Sequence, residues 1–136
     1  TSASMDSQTM LIRGMAQMER AVLGREGETR AVKLLRDRGY RILARNYRCR
    51  HGEIDIVAFE AGEIVFVEVK TRGTNEMGSG LEAVTPRKQR KIARVAEQFL
   101  AERRINDRPC RFDVVAVAAS KDAGADEVVR GAFVVG

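Results

Sequence analysis

Two stretches, Glu53–Phe59 and Ile64–Lys70, carry Ile, Val and Phe on both alternating sets of positions, and only Glu60-Ala61-Gly62-Glu63 separates them. β-Branched and aromatic residues at that density favour extended chain, and a two-residue Ala-Gly loop closes it into a hairpin. Strands apolar on both faces need cover on both, so the hairpin predicts two central strands rather than a wet edge. The rest of the chain supplies that cover. Ala31, Val32, Leu34 and Leu35 recur at helical spacing within Arg25–Arg38, and Gly39 provides the stop. Pro86 opens a second helix running to about Arg104, with Ile92, Val95, Ala96, Phe99 and Leu100 as its buried stripe. Tyr40–Arg48 reads as a strand before the hairpin, Phe112–Val117 as a fourth strand and Ala132–Val135 as a short fifth. A strand–helix–strand crossover makes parallel neighbours, so the order predicts an α/β fold, a mixed sheet of four to five strands flanked by helices.

At 136 residues the chain is one domain. Residues 1–23 read as a mobile or helical N-terminal segment and 24–136 as the domain itself. The longest apolar run, Val114–Ala119, is six residues, against the roughly 18 that a spanning helix requires, so no membrane partner is expected. Two cysteines, Cys49 and Cys110, cannot build a disulfide framework, and no stretch resembles a signal peptide. A reducing cytoplasm is the expected setting. The net charge of +5 is compatible with a polyanionic partner without requiring one.

With Ala61-Gly62 as the loop, Asp55 faces Glu68 and Glu53 faces Lys70, and alternation sends all four to one face at one end of the hairpin. Like charges opposed across two strands are destabilising. Within an apolar hairpin they call for a compensating charge, which a divalent cation and the Lys70 ammonium would supply. The plain alternative is a solvated cross-strand ion pair of Glu53 with Lys70. Against it, the segment from Glu53 to Val69 holds five acidic residues and no Lys or Arg, in a chain that is basic overall. Glu28 also falls in phase with Ala31, Val32 and Leu35 on the first helix, where a carboxylate is uncommon unless paired. Its own alternative is a first-turn Glu favoured by the helix dipole.

The combined spacing of Gly24-Arg-Glu-Gly-Glu28, Gly39-Tyr40, Asn46-Tyr-Arg48, Gly52-Glu-Ile-Asp55-Ile, Phe66-Val-Glu68-Val-Lys70-Thr-Arg72, Glu82-Ala-Val-Thr85 and Lys88-Gln-Arg-Lys91 resembles the YraN-type family of small bacterial proteins. The likeness runs from about Gly24 to Val117, with an echo at Ala132-Phe133. That family is similar to the restriction-endonuclease-like, PD-(D/E)xK superfamily, which includes junction-resolving nucleases. The resemblance implies a restriction-endonuclease-like core in which Asp55 and Glu68-x-Lys70 match the metal and catalytic motif and Glu28 the helical acidic residue. Ile54 stands where the motif has Pro.

The activity so implied is metal-dependent hydrolysis of phosphodiester bonds in nucleic acid, with DNA, including branched or repair intermediates, as the expected polymer. Asp55, Glu68 and the Val69 backbone carbonyl would hold Mg²⁺ (or Mn²⁺). Glu28 would orient a water or share a second metal, and Lys70 would stabilise transition-state charge. Arg87, Lys91 and Arg94 share one face of the second helix, Arg48 and Arg72 flank the acidic end, and Lys88 matches a basic position of the family. These are the expected phosphate contacts. A non-catalytic nucleic-acid-binding module on the same fold is the competing expectation, and a homodimer is expected only by analogy with related resolvases. His51 and Cys49 are too few to make a transition-metal site, and Gly78-Ser-Gly80 lacks the Lys-Ser/Thr of a phosphate-binding loop.

Overall fold

The computed structural model describes residues 24–72, 84–120 and 124–134. Residues 1–23, read from sequence as an N-terminal segment, residues 73–83 with Gly78-Ser-Gly80, residues 121–123 and residues 135–136 lie outside the described residues. Chain order is α1 (24–37), β1 (Arg41–Cys49), β2 (Gly52–Glu60), β3 (Glu63–Arg72), α2 (Pro86–Glu102), β4 (Cys110–Ala118) and β5 (Glu127–Phe133). The strands form one mixed sheet in the order β1-β2-β3-β4-β5. β3 and β4, joined through α2, are parallel, and the other neighbours are antiparallel. The fold is α/β, a five-stranded mixed sheet flanked by two helices, consistent with a restriction-endonuclease-like core.

Ala61 at φ 52° and Gly62 at φ 80° make the left-handed two-residue turn whose twist matches a hairpin. It fixes the expected register, Glu60 opposite Glu63 and Val57 opposite Phe66. One sheet face packs Ile56, Ala58, Val65, Val67, Val115 and Val117 against Ala31, Val32 and Leu35 of α1. The other packs Ile54, Val57, Ile64 and Phe66 against Ile92, Val95, Ala96 and Phe99 of α2. Thr85 caps α2 by accepting the Lys88 N–H at 3.2 Å, with Pro86 in the first turn.

The ends of β1 to β4 lie one or two residues from expectation, and β5 departs further. β1 starts one residue later than the sequence pattern suggests, and β5 spans Glu127–Phe133 rather than Ala132–Val135. β5 is an edge strand with a register shift opposite Phe112/Val114 and Gly131 at φ 61°. Both features break the alternation by which a strand is read from sequence. At the hairpin-turn end, Asp113 is fully buried. It accepts from Tyr40 Oη at 2.8 Å, Arg111 Nε at 2.9 Å and the Gly131 N–H at 2.9 Å. Arg111 also reaches Glu60 at 2.6 Å. One buried carboxylate thus ties the residue before β1, the hairpin turn, β4 and β5 together.

Candidate active site

The sheet forks at the end away from the hairpin turn. The β2–β3 ladder runs from Glu60↔Glu63 only as far as Ile56↔Val67. Beyond it β2 stays with β1 to Gly52↔Cys49, while β3 stays with β4 to Arg72↔Ala118. Asp55 and Glu68, expected to face each other as a ladder pair, instead sit at the mouth of the fork. Asp55 Oδ2 accepts the Val69 N–H at 2.8 Å, which satisfies a donor that the parted strand no longer pairs.

Strict alternation also fails here. Ile54 joins the α2-side core and Ile56 the α1-side core, although they stand two residues apart. On β1 the matching irregularity is Asn46, at φ 52°, between the Arg45↔Ile56 and Tyr47↔Ile54 pairs. The local half-twist brings Glu53 and Asp55 into one cleft of about 430 Å³ with Glu68 and, from α2, Arg87, Lys88 and Lys91.

Burial pushes the Asp55 carboxyl up to about 7. The Glu68 charge adds to this, the Val69 N–H opposes it, and Glu53 and Glu28 add smaller contributions. Glu68 is paired with Lys88, whose Nζ lies at hydrogen-bond distance from Oε1. The fork therefore holds an acidic pair with Asp55 short of countercharge. Among the described residues, no group of three or more His, Cys, Asp or Glu side chains is placed to hold a metal ion. A cation at the fork would rest on two carboxylates, a main-chain carbonyl and water. Hard oxygen donors of that kind suit Mg²⁺ or Mn²⁺, which keep several waters, rather than an all-protein cage.

Glu28 reaches the same end from α1. Its Oε1 accepts from Arg45 Nε at 3.1 Å and Asn46 Nδ2 at 2.9 Å, which anchors the helix carboxylate to the β1 irregularity. Gly27 allows the approach, since a Cβ there would stand 3.1 Å from Val117 Cγ2. Neither Asn46 nor Gly27 was singled out for this role by sequence pattern; an Asn able to take positive φ beside Tyr47 was the available signal. Lys70 is half-buried on β3 opposite Ala116 of β4 and is not among the described residues lining the cleft.

The expected phosphate contacts separate into two groups. Arg87, Lys88 and Lys91 line the cleft, and Arg94 lies one turn further along α2. Arg48 is exposed and paired with Glu53 at 2.8 Å, which replaces the Glu53–Lys70 bridge considered from sequence. Arg72 is turned away. Its guanidinium donates to Ala125 O at 2.7 Å and Glu127 at 3.3 Å, and the side chain is 17% exposed. This basic residue was legible in sequence, but its partners lie 53 and 55 residues away. His51 sits in the β1–β2 turn, where its Nε2 accepts from Arg50 at 3.3 Å.

Fold and cleft together define an α/β protein whose sheet carries an acidic pair at its forked end, facing a basic helix. The chain belongs to the uncharacterised protein family UPF0102, whose profile matches residues 27–117, the YraN-type family that the sequence motifs resemble. A UPF0102 protein of Moorella thermoacetica is 50% identical over 119 residues, covering 85% of this chain and 98% of the relative. Another, from Lachnoclostridium phytofermentans, is 54% identical over 99 residues, covering 72% and 84%. A third, from Prosthecochloris aestuarii, is 53% identical over 97 residues, covering 71% and 76%.

Proposed function

We propose that this protein is a metal-dependent nuclease, of the restriction-endonuclease-like PD-(D/E)xK kind, that hydrolyses phosphodiester bonds in nucleic acid, with DNA as the polymer. The observation that carries the reading is the fork. Two carboxylates from adjacent strands enter one cleft, one of them with its proton affinity raised to about 7, and the facing helix is cationic.

Asp55, Glu68 and the Val69 carbonyl would hold Mg²⁺ or Mn²⁺. Bound there, such an ion supplies Lewis-acid polarisation of a phosphate oxygen and a more acidic water. The residues of the chain do the rest. Asp55, kept in place by the Val69 N–H, bears a charge that burial disfavours in the empty cleft and that a bound cation would stabilise. Lys88 neutralises Glu68 at rest and, 41% exposed at the cleft, serves as the ammonium that meets the scissile phosphate. Lys70, two residues along β3 from Glu68, is the lysine that matches the motif and would stabilise transition-state charge. Glu28, fixed by Arg45 and Asn46, orients water from the α1 side. Two unpaired thiols, Cys49 and Cys110, suit a reducing compartment. Among the described residues no helix is long and apolar enough to cross a membrane.

The experiment is cleavage of end-labelled single-stranded, duplex, flap and four-way DNA in Mg²⁺, in Mn²⁺ and in EDTA, with Asp55→Ala and Glu68→Ala as controls. Metal-dependent cutting lost in both variants is the expected result. Cutting equal to wild type in both variants refutes the site. The Glu68–Lys88 pair leaves a second reading, a binding module whose acidic pair is internally compensated. Tight nucleic-acid binding with no cutting in any metal supports it.

A further inference from the structure

Beside the acidic cleft lies a second cavity, of about 460 Å³, lined by Arg50, His51, Arg87, Arg90, Lys91 and Arg94. We propose that it is a phosphate subsite, seating a polynucleotide phosphate near the one at the acidic pair. This inference rests on the nuclease reading for the position of the neighbouring phosphate, but its own evidence is separate.

Charge is the first part of that evidence. Five arginines elsewhere on the described surface are paired with carboxylates, Arg30 with Asp126, Arg45 with Glu28, Arg48 with Glu53, Arg72 with Glu127 and Arg130 with Glu60, whereas Arg25, Arg36, Arg38 and Arg41 form no ion pair with a described residue but line no common cavity. None of the five cations around this cavity forms an ion pair with a described residue, and no described acid lines it. Like charges gathered in a concavity repel one another and raise the local anion concentration.

Position is the second. Arg87 and Lys91 line both cavities, so the two are contiguous. The Lys91 stem lies over Gly52, where a Cβ would come within 3.0 Å of Lys91 Cε. The absence of a side chain at residue 52 therefore makes room for the cation that stands between the cavities. From Arg87 to Arg94 the helix rises about 10 Å, enough to hold cations against more than one phosphate of a strand.

The third part is the boundary. His51 and Arg94 also border a cavity lined by Glu97 and Glu102, and Glu102 accepts Tyr47 Oη at 2.8 Å. Carboxylates at that end repel a phosphate chain, so the cationic track stops there. The strand runs from the acidic pair along α2 and leaves the protein before Glu97. An acidic peptide would need no such alignment with a metal-binding pair, which favours the polynucleotide.

The test is fluorescence-anisotropy binding of a labelled 20-base-pair duplex in EDTA, across a salt series, so that turnover plays no part. Arg90→Ala/Arg94→Ala is compared with wild type and with Arg103→Ala/Arg104→Ala, a pair beyond Glu97 at the other end of α2. The subsite predicts that the first variant flattens the slope of log affinity against log salt by about 1 to 2, near 0.9 for each phosphate that is no longer neutralised. It also predicts that the second variant matches wild type. All four arginines in these variants are exposed, and circular dichroism of each variant serves as the check of folding.

Duplexes with and without a 5′-phosphate separate the two sources. A defect seen only with the 5′-phosphate assigns the subsite to a strand end, and one seen with both assigns it to an internal phosphate. Wild-type affinity and slope in Arg90→Ala/Arg94→Ala overturn the proposal. An equal loss in the two double variants also overturns it, because general basicity then explains the binding. Absence of cleavage in every metal, with the slope change intact, removes the nuclease reading and leaves the subsite standing.

Discussion

Replacing Asp55 by Asn should stabilise the protein at neutral and alkaline pH while abolishing the proposed cleavage. The Asp55 carboxyl is raised from 3.8 to about 7, first by burial and then by Glu68. At about 1.36 kcal/mol per pH unit, ionising it costs about 4 kcal/mol more in the folded chain than in the unfolded one. Asp55 stands at a cleft mouth, where water relaxes around the charge, so the measurable part is about 2–4 kcal/mol.

The sign follows from proton binding. Between about pH 4 and pH 7 the folded chain holds a proton that the unfolded chain has lost, so this contribution favours folding at low pH and is lost as pH rises through 7. The side-chain amide of the Asp55→Asn variant keeps an oxygen for the Val69 N–H and carries no charge, so the variant lacks that slope. Urea melts of wild type and Asp55→Asn in EDTA at intervals from pH 4 to 8 measure the difference. The variant should gain relative to wild type as pH rises, and should be the more stable protein at pH 8. Adding Mn²⁺ at pH 8 should raise the midpoint of wild type and leave that of the variant unchanged. Parallel pH profiles for the two proteins would refute the charge deficit on which the proposed metal site rests.

Other substitutions probe the surroundings of the site. Lys88→Ala should strengthen Mn²⁺ binding by up to about fivefold, because an exposed pair contributes up to about 1 kcal/mol to holding Glu68, while cleavage falls; isothermal titration and a cleavage assay read the two effects apart. Gly27→Ala sets a Cβ 3.1 Å from Val117 Cγ2, and Val117 is almost fully buried and cannot yield. Overpacking of about 1–3 kcal/mol, offset by about 1 kcal/mol of helix propensity, should leave a net loss near 1 kcal/mol in chemical denaturation. Tyr40→Phe removes a 2.8 Å donor from buried Asp113 and should cost about 1.5–3 kcal/mol with cleavage intact, since that network lies at the other end of the sheet.

The legible parts of this protein are those written in short-range pattern. The turn at Ala61-Gly62 carries its own left-handed requirement, so the register of β2 and β3 could be counted from it, and Val57 does face Phe66. Helix α2 announces itself through Pro86 and a 3.6-residue stripe. The N-terminal limit of β5 was missed, because Gly131 and a register shift hide an edge strand whose pairing comes from β4. Among candidate site residues, Asp55, Glu68, Arg87, Lys88 and Lys91 share one cleft. Arg72, equally basic and close in sequence, is held by Glu127 and Ala125. Charge can be read from a sequence, but the partner that consumes it cannot when it lies more than fifty residues away.

By itself, then, the amino-acid order determined the hairpin, the two covering helices, the parallel crossover and the gathering of acids near one end, because turn chemistry and hydrophobic period act between near neighbours. Only the tertiary structure decided that the ladder stops at Ile56↔Val67, that a half-twist at Asp55 and Asn46 turns carboxylates from α1, β2 and β3 toward one end of the sheet, and that Lys88 rather than a strand neighbour meets Glu68. Those outcomes depend on β2 and β3 each staying with a different partner strand, a competition among long-range contacts that local pattern does not encode.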